Sequence, residues 1–539
     1  METFTYTCGC IIPTKNGIPN VHIFDVSLTC QKTWDMIRSG NTKMGFQIES
    51  DLISSYSKKL KPDHIDDLAA LISIVRPGTL NVVVDGESLA LKFCKRKNNE
   101  EPVTYLDECL KPYLSKTYGI IVYQEQVMRI AKDIAGLNLV EVEKIKGAIS
   151  KKKADILASC RPMFVDGCDK VGKLSREKAE GLYDDIEKSA RYSFCAAHAV
   201  SYAYEAYYSI WPKAHGIKEA FASWLYFSNF EQKPKEEIRS LVNHSLTMKV
   251  KITSPYFPDL EDHFYIKGEE VKFGLADIKG IGDSLMRKLK RVVSDVEDKI
   301  KLNVGGWSFY DFLIHFSGGV VKTSVEALIG SGALDYMGLS RSLMLDYFRK
   351  YKELTDSHLK WIENNYQNYQ DFPSLMKGAA RPRNQGGAAY NVISLETLIG
   401  ICQRLDTPAT SMDDTLSWLC DIEDKLLGIA ISTNRIGELP EGIDVTSCSD
   451  FKRIDLRTYV LAVEILSAKT IKCKRGESAG QEMAFLTVKD QSGVMDDVAV
   501  FPSLYHETKP LLTQGNTVLL FGTKDEQRRS LKTQKISQL

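Results

Sequence analysis

The period of the hydrophobic pattern changes along the chain, and this limits the possible folds more than any other feature. Between about residues 50 and 240, apolar residues recur at helical spacing. They include Ile53, Tyr56 and Leu60, then Leu68, Leu71 and Ile72, then Val127, Met128, Ile130, Ala131 and Ile134. Towards the C terminus the period falls to two, in YVLAVEILSAKTI, MAFLTVKDQSG, MDDVAVF and TVLLFGTK. Such runs separated by turn signals predict a small antiparallel barrel. Neither one helical bundle nor one sheet accommodates both periods, so the expected fold class is multidomain α+β.

Length supports the division, since 539 residues at about 150 per domain suggest three or four domains. Lys and Arg number 70, as do Asp and Glu, so the net charge is zero. A uniformly basic coat is excluded, and any polyanion site must be a local patch. No apolar run approaches the roughly 20 residues that cross a bilayer, and the start lacks a signal-peptide pattern, so no membrane partner is expected. The twelve cysteines are scattered singly, the pattern of reduced cytoplasmic thiols. Cys8 and Cys10 have no second pair at zinc-ligand spacing, so no structural metal is expected.

Locally, CGCIIP and NVHIFDV around Lys15–Gly17 predict a hairpin-like start, followed by a helix in TCQKTWDMIRSG. Arg76-Pro77-Gly78 predicts a break. The polar stretch LKFCKRKNNEEP reads as a loop, and the aromatic stretch Tyr192–Phe230 as helix interrupted at Pro212. Short strands in KVKITSPYF and HFYIKGEEVKFGL open a new unit near 250, and residues 377–391 read as an exposed linker or long loop.

Four features suggest chemistry. Lys144, Lys146, Lys151, Lys152 and Lys153 form a basic run without an intervening acid, suited to phosphates by counterion release or, equally, to a solvated helix face. In RYSFCAAHAVSYAY, Tyr192 and Phe194 precede His198, which shares a helix face with Tyr202. Beside a lysine cluster these could stack a base and bind a triphosphate; alone they would suit a core helix. Gly280-Ile281-Gly282 between two expected helices matches a helix-hairpin-helix turn, in which glycines admit a close phosphate and the next helix start donates amides. Arg287, Lys288, Lys290 and Arg291 reinforce that reading over a plain turn. In the barrel, Lys472, Lys474, Arg475, Arg528 and Arg529 fall in expected turns and suit single-stranded DNA, although small barrels also bind proteins.

Taken in order, MGFQIES, LAALISIVRPGTL, YLSKTYGIIVYQEQVMRIAKDIAG, ISKKKADIL, YSFCAAHAVSYAY, WPKAHGIKEAFASWL, FGLADIKGIGDSLMRKL, VEALIGSGALDYMG and EDKLLGIAIS resemble the C-family replicative polymerase, the bacterial DNA polymerase III alpha subunit. YGIIVYQEQVM is the most specific of them, and residues 340–415 match least. The resemblance implies a fingers domain over 1–245, a helix-hairpin-helix duplex-binding domain over 246–345, a helical connecting region over 346–450 and an OB-fold barrel over 451–539. Tyr192 would pack on the incoming dNTP, and His198, Lys146 and Lys151 to Lys153 would lie at its phosphates. Gly280, Gly282, Arg287, Lys288, Lys474 and Arg475 would contact DNA. The family's Tyr-Gly-Phe-Asn-Lys-Ser-His stretch is here Tyr192-Ser193-Phe194-Cys195-Ala196-Ala197-His198, and its Arg-Arg pair is Lys146-Gly147, which loses the forked donor geometry.

The family's metal-binding aspartates lie on a palm that precedes the fingers, and the resemblance implies that this chain begins after them. The resemblance therefore implies one part of a split polymerase, inactive alone, holding primer-template DNA and dNTP while a palm-bearing chain binds Mg2+. No catalytic or metal-binding residue is assigned here. Asp66-Asp67, Asp184-Asp185, Asp413-Asp414 and Asp496-Asp497 read as solvated surface pairs. A sliding clamp is a further candidate partner, although no Gln…Leu-Phe peptide follows the hairpin. The expected setting is the cytoplasm of a bacterial or phage-infected cell. The competing reading is a non-catalytic DNA-binding replisome accessory protein descended from a polymerase.

Overall fold

The computed structural model describes residues 3–6, 9, 11–15, 18–19, 22–76, 82–84, 86–190, 192–381, 383–385, 388–390, 392–405, 413–437, 439, 444–451, 456–473, 478–525 and 530–539. The chain divides into two compact units, 1–217 and 218–539.

The first unit opens with the expected hairpin-like meander, β1 (Thr3–Thr5), β2 (Ile11–Lys15) and β3 (Ile18–Pro19), paired antiparallel. Helices follow: α1 (Gln31–Arg38), α2 (Asp51–Leu60), α3 (Ile65–Ile74), α4 (Leu89–Lys97), the single turn α5 (Lys111–Leu114), α6 (Gln124–Asp133), α7 (Leu139–Ser150), α8 (Ala154–Ser159), α9 (Arg161–Val171), α10 (Arg176–Ser189) and α11 (Ala196–His215). A small ribbon of β4 (Val83–Val84) and β5 (Glu87–Ser88) precedes α4. The helix starts follow local chemistry. The Ser50 hydroxyl accepts the Ile53 amide, and Asn138 and Glu141 form a reciprocal capping box at α7. α3 is buried on every side from Asp67 to Ile74 and packs against α11 in a core around Trp34, Phe93 and Tyr207. A second core surrounds Phe164 and Tyr183.

Two expectations are corrected here. LKFCKRKNNEEP is not a loop: most of it is α4, capped by the Ser88 hydroxyl at 3.3 Å from the Leu91 amide. Its polar letters mislead because Phe93 and Cys94 are buried and the Arg96 guanidinium is consumed internally, donating to the Tyr118 carbonyl, Thr104 and Glu101. Nor does Pro212 interrupt the aromatic helix. It sits in the last turn of α11, where it removes one donor only, and the break falls at Gly216.

In the second unit, α12 (Ile217–Ser228) and α13 (Pro234–Met248) lead into a three-stranded sheet ordered β6 (Lys251–Thr253), β8 (Glu270–Lys272), β7 (Tyr265–Lys267). α14 (Asp283–Ile300) follows, then shorter helices around a ring cluster of Phe257, Trp307, Phe312 and Phe316. Within 377–391, expected to be an exposed linker or long loop, Lys377–Ala380 end a helix, because Gly378 lets the Tyr369 ring lie flush on it. β9 (Arg383–Gln385) and β10 (Ala388–Tyr390) then pair antiparallel.

The C-terminal strands β11 (Tyr459–Lys472), β12 (Glu482–Asp490), β13 (Gly493–Val500), β14 (Thr517–Lys524) and β15 (Leu531–Gln538) close into the expected barrel, ordered β11-β12-β13-β15-β14. Every pairing is antiparallel except β13 with β15. Leu461, Val463, Leu486, Val488, Val498, Val518 and Leu520 fill its centre. A bulge at Phe521/Gly522 brings the Lys532 carbonyl against Gly522, where any Cβ would collide with it.

Candidate nucleotide and DNA-binding site

In the first unit, the short segment before α11 is anchored by backbone pairing. The Phe194 amide donates to the Val122 carbonyl at 3.1 Å, and the Gln124 amide donates to the Phe194 carbonyl at 3.0 Å. The Gln124 side chain faces both ways. Its Nε2 donates to the Ser193 carbonyl at 3.4 Å, and its Oε1 accepts from the Ser150 hydroxyl at 3.0 Å. Ser150 ends α7, so this relay ties the segment before His198 to the corner that carries Lys151, Lys152 and Lys153.

That corner is ordered by its own backbone. The Lys151 amide reaches the Gly147 carbonyl, Lys153 the Ala148 carbonyl, and Lys152 adopts a left-handed φ of 51°. All three side chains are exposed. Lys146 lies half-exposed on α7 and pairs with Glu143 at 3.3 Å, which leaves the corner as the stronger anion-attracting group.

His198 is exposed in the first turn of α11, its ring 5.2 Å from Phe194 and 3.9 Å from Tyr202. The expected four-residue spacing on one face is therefore present. Phe46 meets the Tyr202 ring edge-on at 5.1 Å, and the Arg76 guanidinium lies 3.7 Å over the Phe194 ring. Tyr192 is half-buried against the core around Trp34, and burial pushes its phenol pKa up, so the hydroxyl stays protonated. Cys195 provides no side-chain cap for α11. Instead the Glu125 carboxylate accepts the Ala196 amide at 2.9 Å, occupying part of the anion-favouring helix end.

Arg76, Gln124, Glu125 and Ser150 were not singled out by sequence reasoning. Arg76 lies in the Arg76-Pro77-Gly78 break and in the family-like LAALISIVRPGTL, and neither pattern marks it as a ring partner. Gln124 and Glu125 sit within YGIIVYQEQVM, but their partners at 193 and 196 lie 69 and 71 positions away, beyond the reach of periodicity.

In the second unit, Gly280 is exposed with φ 94°, a conformation that favours glycine, and Gly282 has open space where a Cβ would stand. Ile281 between them is buried and pins the turn. The element before the turn is not the expected helix but a 3₁₀ turn, Leu275–Asp277. It is held tight because the Gly274 backbone presses on residues 262–263 and the buried Asp277 carboxylate accepts from the Gly274 amide, Asn229 and His263. Burial raises the Asp277 pKa, opposed by these donors. Arg287, Lys288 and Arg291 line α14 and are exposed, whereas Lys290 pairs with Asp262 at 2.8 Å. Lys472 is exposed at the end of β11; Lys474, Arg475, Arg528 and Arg529 lie outside the described residues.

The aspartate pairs are largely engaged elsewhere. Asp66 meets Lys116, Asp184 meets Arg161, Asp185 meets Lys188, and Asp414 caps the helix starting at Arg341. Asp67 is buried, not solvated as expected, because the Tyr118 hydroxyl and Lys97 satisfy it. Asp63, His64 and Asp67 bring ligating atoms within 4.8 Å of one another, but Lys97 already contacts both carboxylates, at 3.0 and 3.4 Å. That cluster does not fit a catalytic Mg2+.

Residues 6–172 match the bacterial DNA polymerase III alpha subunit finger domain. The chain is 28% identical over 520 residues to the DNA polymerase III subunit alpha of Aquifex aeolicus, covering 96% of this chain and 39% of that protein. It is 32% identical over 355 residues to the Escherichia coli K12 subunit, covering 64% and 29%, and 29% identical over 511 residues to that of Bacillus subtilis, covering 93% and 41%. The chain thus spans less than half the length of these curated relatives. The lysine corner, Arg76 and Gln124 fall inside the finger match, and the similarity to the alpha subunits runs on through His198 and the barrel.

Proposed function

We propose that this chain is the nucleotide-gripping and DNA-holding part of a split C-family replicative polymerase, working with a palm-bearing chain in the cytoplasm of a bacterial or phage-infected cell. One observation carries the reading: Gln124 and Ser150 tie the Lys151–Lys153 corner to the segment leading into His198. Exposed ammonium groups and an imidazole at a helix start suit a triphosphate, and aromatic rings beside them suit its base. Mg2+ on the palm aspartates would supply charge neutralisation for nucleotidyl transfer. This chain's residues would bind the dNTP, orient it and close over it when pairing is correct. The Gly280–Gly282 turn would hold duplex backbone, and the barrel, as an OB-fold, would guide single-stranded template. A sliding clamp is a further proposed partner.

The test is primer extension with Mg2+ and four dNTPs, using this chain alone, with a palm-bearing chain, and with His198→Ala in the mixture. Synthesis in the mixture only, reduced at least tenfold by His198→Ala, is expected. A second reading, a non-catalytic DNA-binding accessory protein, is favoured by Glu125 on the first amide of α11 and by the alanines at 196 and 197. DNA binding without synthesis in any mixture would establish that reading instead.

A further inference from the structure

α12 ends in an exposed aromatic cluster. Phe227 is 61% and Phe230 73% exposed, their rings lie 6.4 Å apart, and Tyr226 packs edge-on to both at 5.1 and 5.6 Å. A reverse turn fixes the pair, with the Phe230 amide donating to the Phe227 carbonyl at 3.0 Å. Single exposed apolar side chains need no explanation, but two phenylalanines presented together on a rigid turn form a surface suited to an occupant.

The surroundings say which occupant. Tyr226 packs edge-on to His263 at 4.9 Å, and His263 reaches Asp277 at 3.1 Å and Asp283 at 3.5 Å. Asn229 donates to Asp277 at 3.1 Å. Asn229, between the two phenylalanines, is therefore fastened to Asp277 directly, and Tyr226, before them, is linked through His263 to Asp277 and Asp283, which lie on either side of the Lys279–Gly282 turn. Beyond that turn, Arg287, Lys288 and Arg291 are exposed and without an acidic partner among the described residues, as is Lys279 at its start. A polyanion that also offers flat π-faces satisfies both halves of this surface, and single-stranded DNA is such a ligand.

We propose that Phe227 and Phe230 form a stacking platform for unpaired bases beside duplex DNA held at the Gly280–Gly282 turn. The platform rests on the duplex-holding reading of that turn, and it is tested by binding alone. The full chain would be titrated, without nucleotide, against a primer-template carrying 2-aminopurine as its first unpaired base and against a blunt duplex of the same paired sequence. The double variant Phe227→Ala/Phe230→Ala should weaken primer-template binding by roughly 5- to 150-fold for one base stacked on the pair, from about 1–3 kcal/mol per stacked base. It should leave blunt-duplex affinity within about twofold and abolish the 2-aminopurine quench, while Phe227→Trp/Phe230→Trp retains both affinity and quench. Equal losses on the two DNAs, or no loss on either, would overturn the platform and leave duplex holding intact. No binding of either DNA by the wild-type chain would overturn both. An unchanged DNA affinity with lost association to the palm-bearing chain would assign the rings to a protein contact.

Discussion

Lys213, fully buried in α11, donates to the Asn41 and Lys43 carbonyls at 2.9 and 2.8 Å and so fastens the loop that presents Phe46. Burial, with Lys43 nearby, lowers its pKa to about 7, against 10.5 for a solvated lysine. Between these values the unfolded chain holds the proton and the folded chain does not, so this residue's contribution makes stability rise with pH at up to about 1.4 kcal/mol per unit. Below pH 7 both states are protonated and the burial cost is constant. Urea unfolding across pH 7 to 10 should show this slope in the wild type and a flatter one in Lys213→Met; equal slopes would place the titration elsewhere. At the helix start, Glu125→Gln keeps an acceptor for the Ala196 amide but removes a negative charge, so under the proposed nucleotide-binding role dNTP affinity should rise roughly two- to fivefold, the worth of one charge at a helix end. Weaker binding in a fluorescence titration would refute that. At this scale the sequence showed what spacing can show, the shared face of His198 and Tyr202, but not that Tyr192 is packed against the core or that Arg76 covers Phe194, since those facts depend on contacts between distant segments.

Single elements behave according to what their residues can bury. The helices of the first unit and the barrel were legible because one face, or one alternation, is apolar. α4 was not, because Arg96 spends its charge on internal acceptors and so looks solvated in the sequence. The Gly280–Gly282 turn was legible as a turn, yet its leading element is a 3₁₀ turn whose geometry comes from contacts of Gly274 and Asp277 rather than from helical periodicity. The two glycines then make separable demands. Gly280→Ala forces a Cβ into φ 94° and should lower the unfolding midpoint, by about 1 kcal/mol in stability. Gly282→Ala has extended φ and open space, so stability should not change while duplex affinity falls through a blocked close approach. If Gly282→Ala also leaves duplex binding unaltered in an anisotropy titration, the turn is merely structural.

Across the whole chain, seventy cations balance seventy anions, so the DNA attraction proposed above cannot come from net charge. It must come from places where geometry separates the signs, and the sequence alone could not locate all of them: Lys146 and Lys290 belong to basic runs yet are paired with Glu143 and Asp262, whereas Arg287, Lys288 and Arg291 stay exposed. The salt dependence of duplex binding reads this distribution directly. Each neutralised phosphate contributes about −0.9 to the slope of log K against log salt. Substituting Arg287, Lys288 and Arg291 by alanine should therefore make the slope shallower by roughly 2 to 3, while Lys290→Ala changes it by much less than one. A slope unaffected by the triple substitution would move the duplex contact off α14, and a full unit lost with Lys290→Ala would mean that the pair with Asp262 opens when DNA arrives.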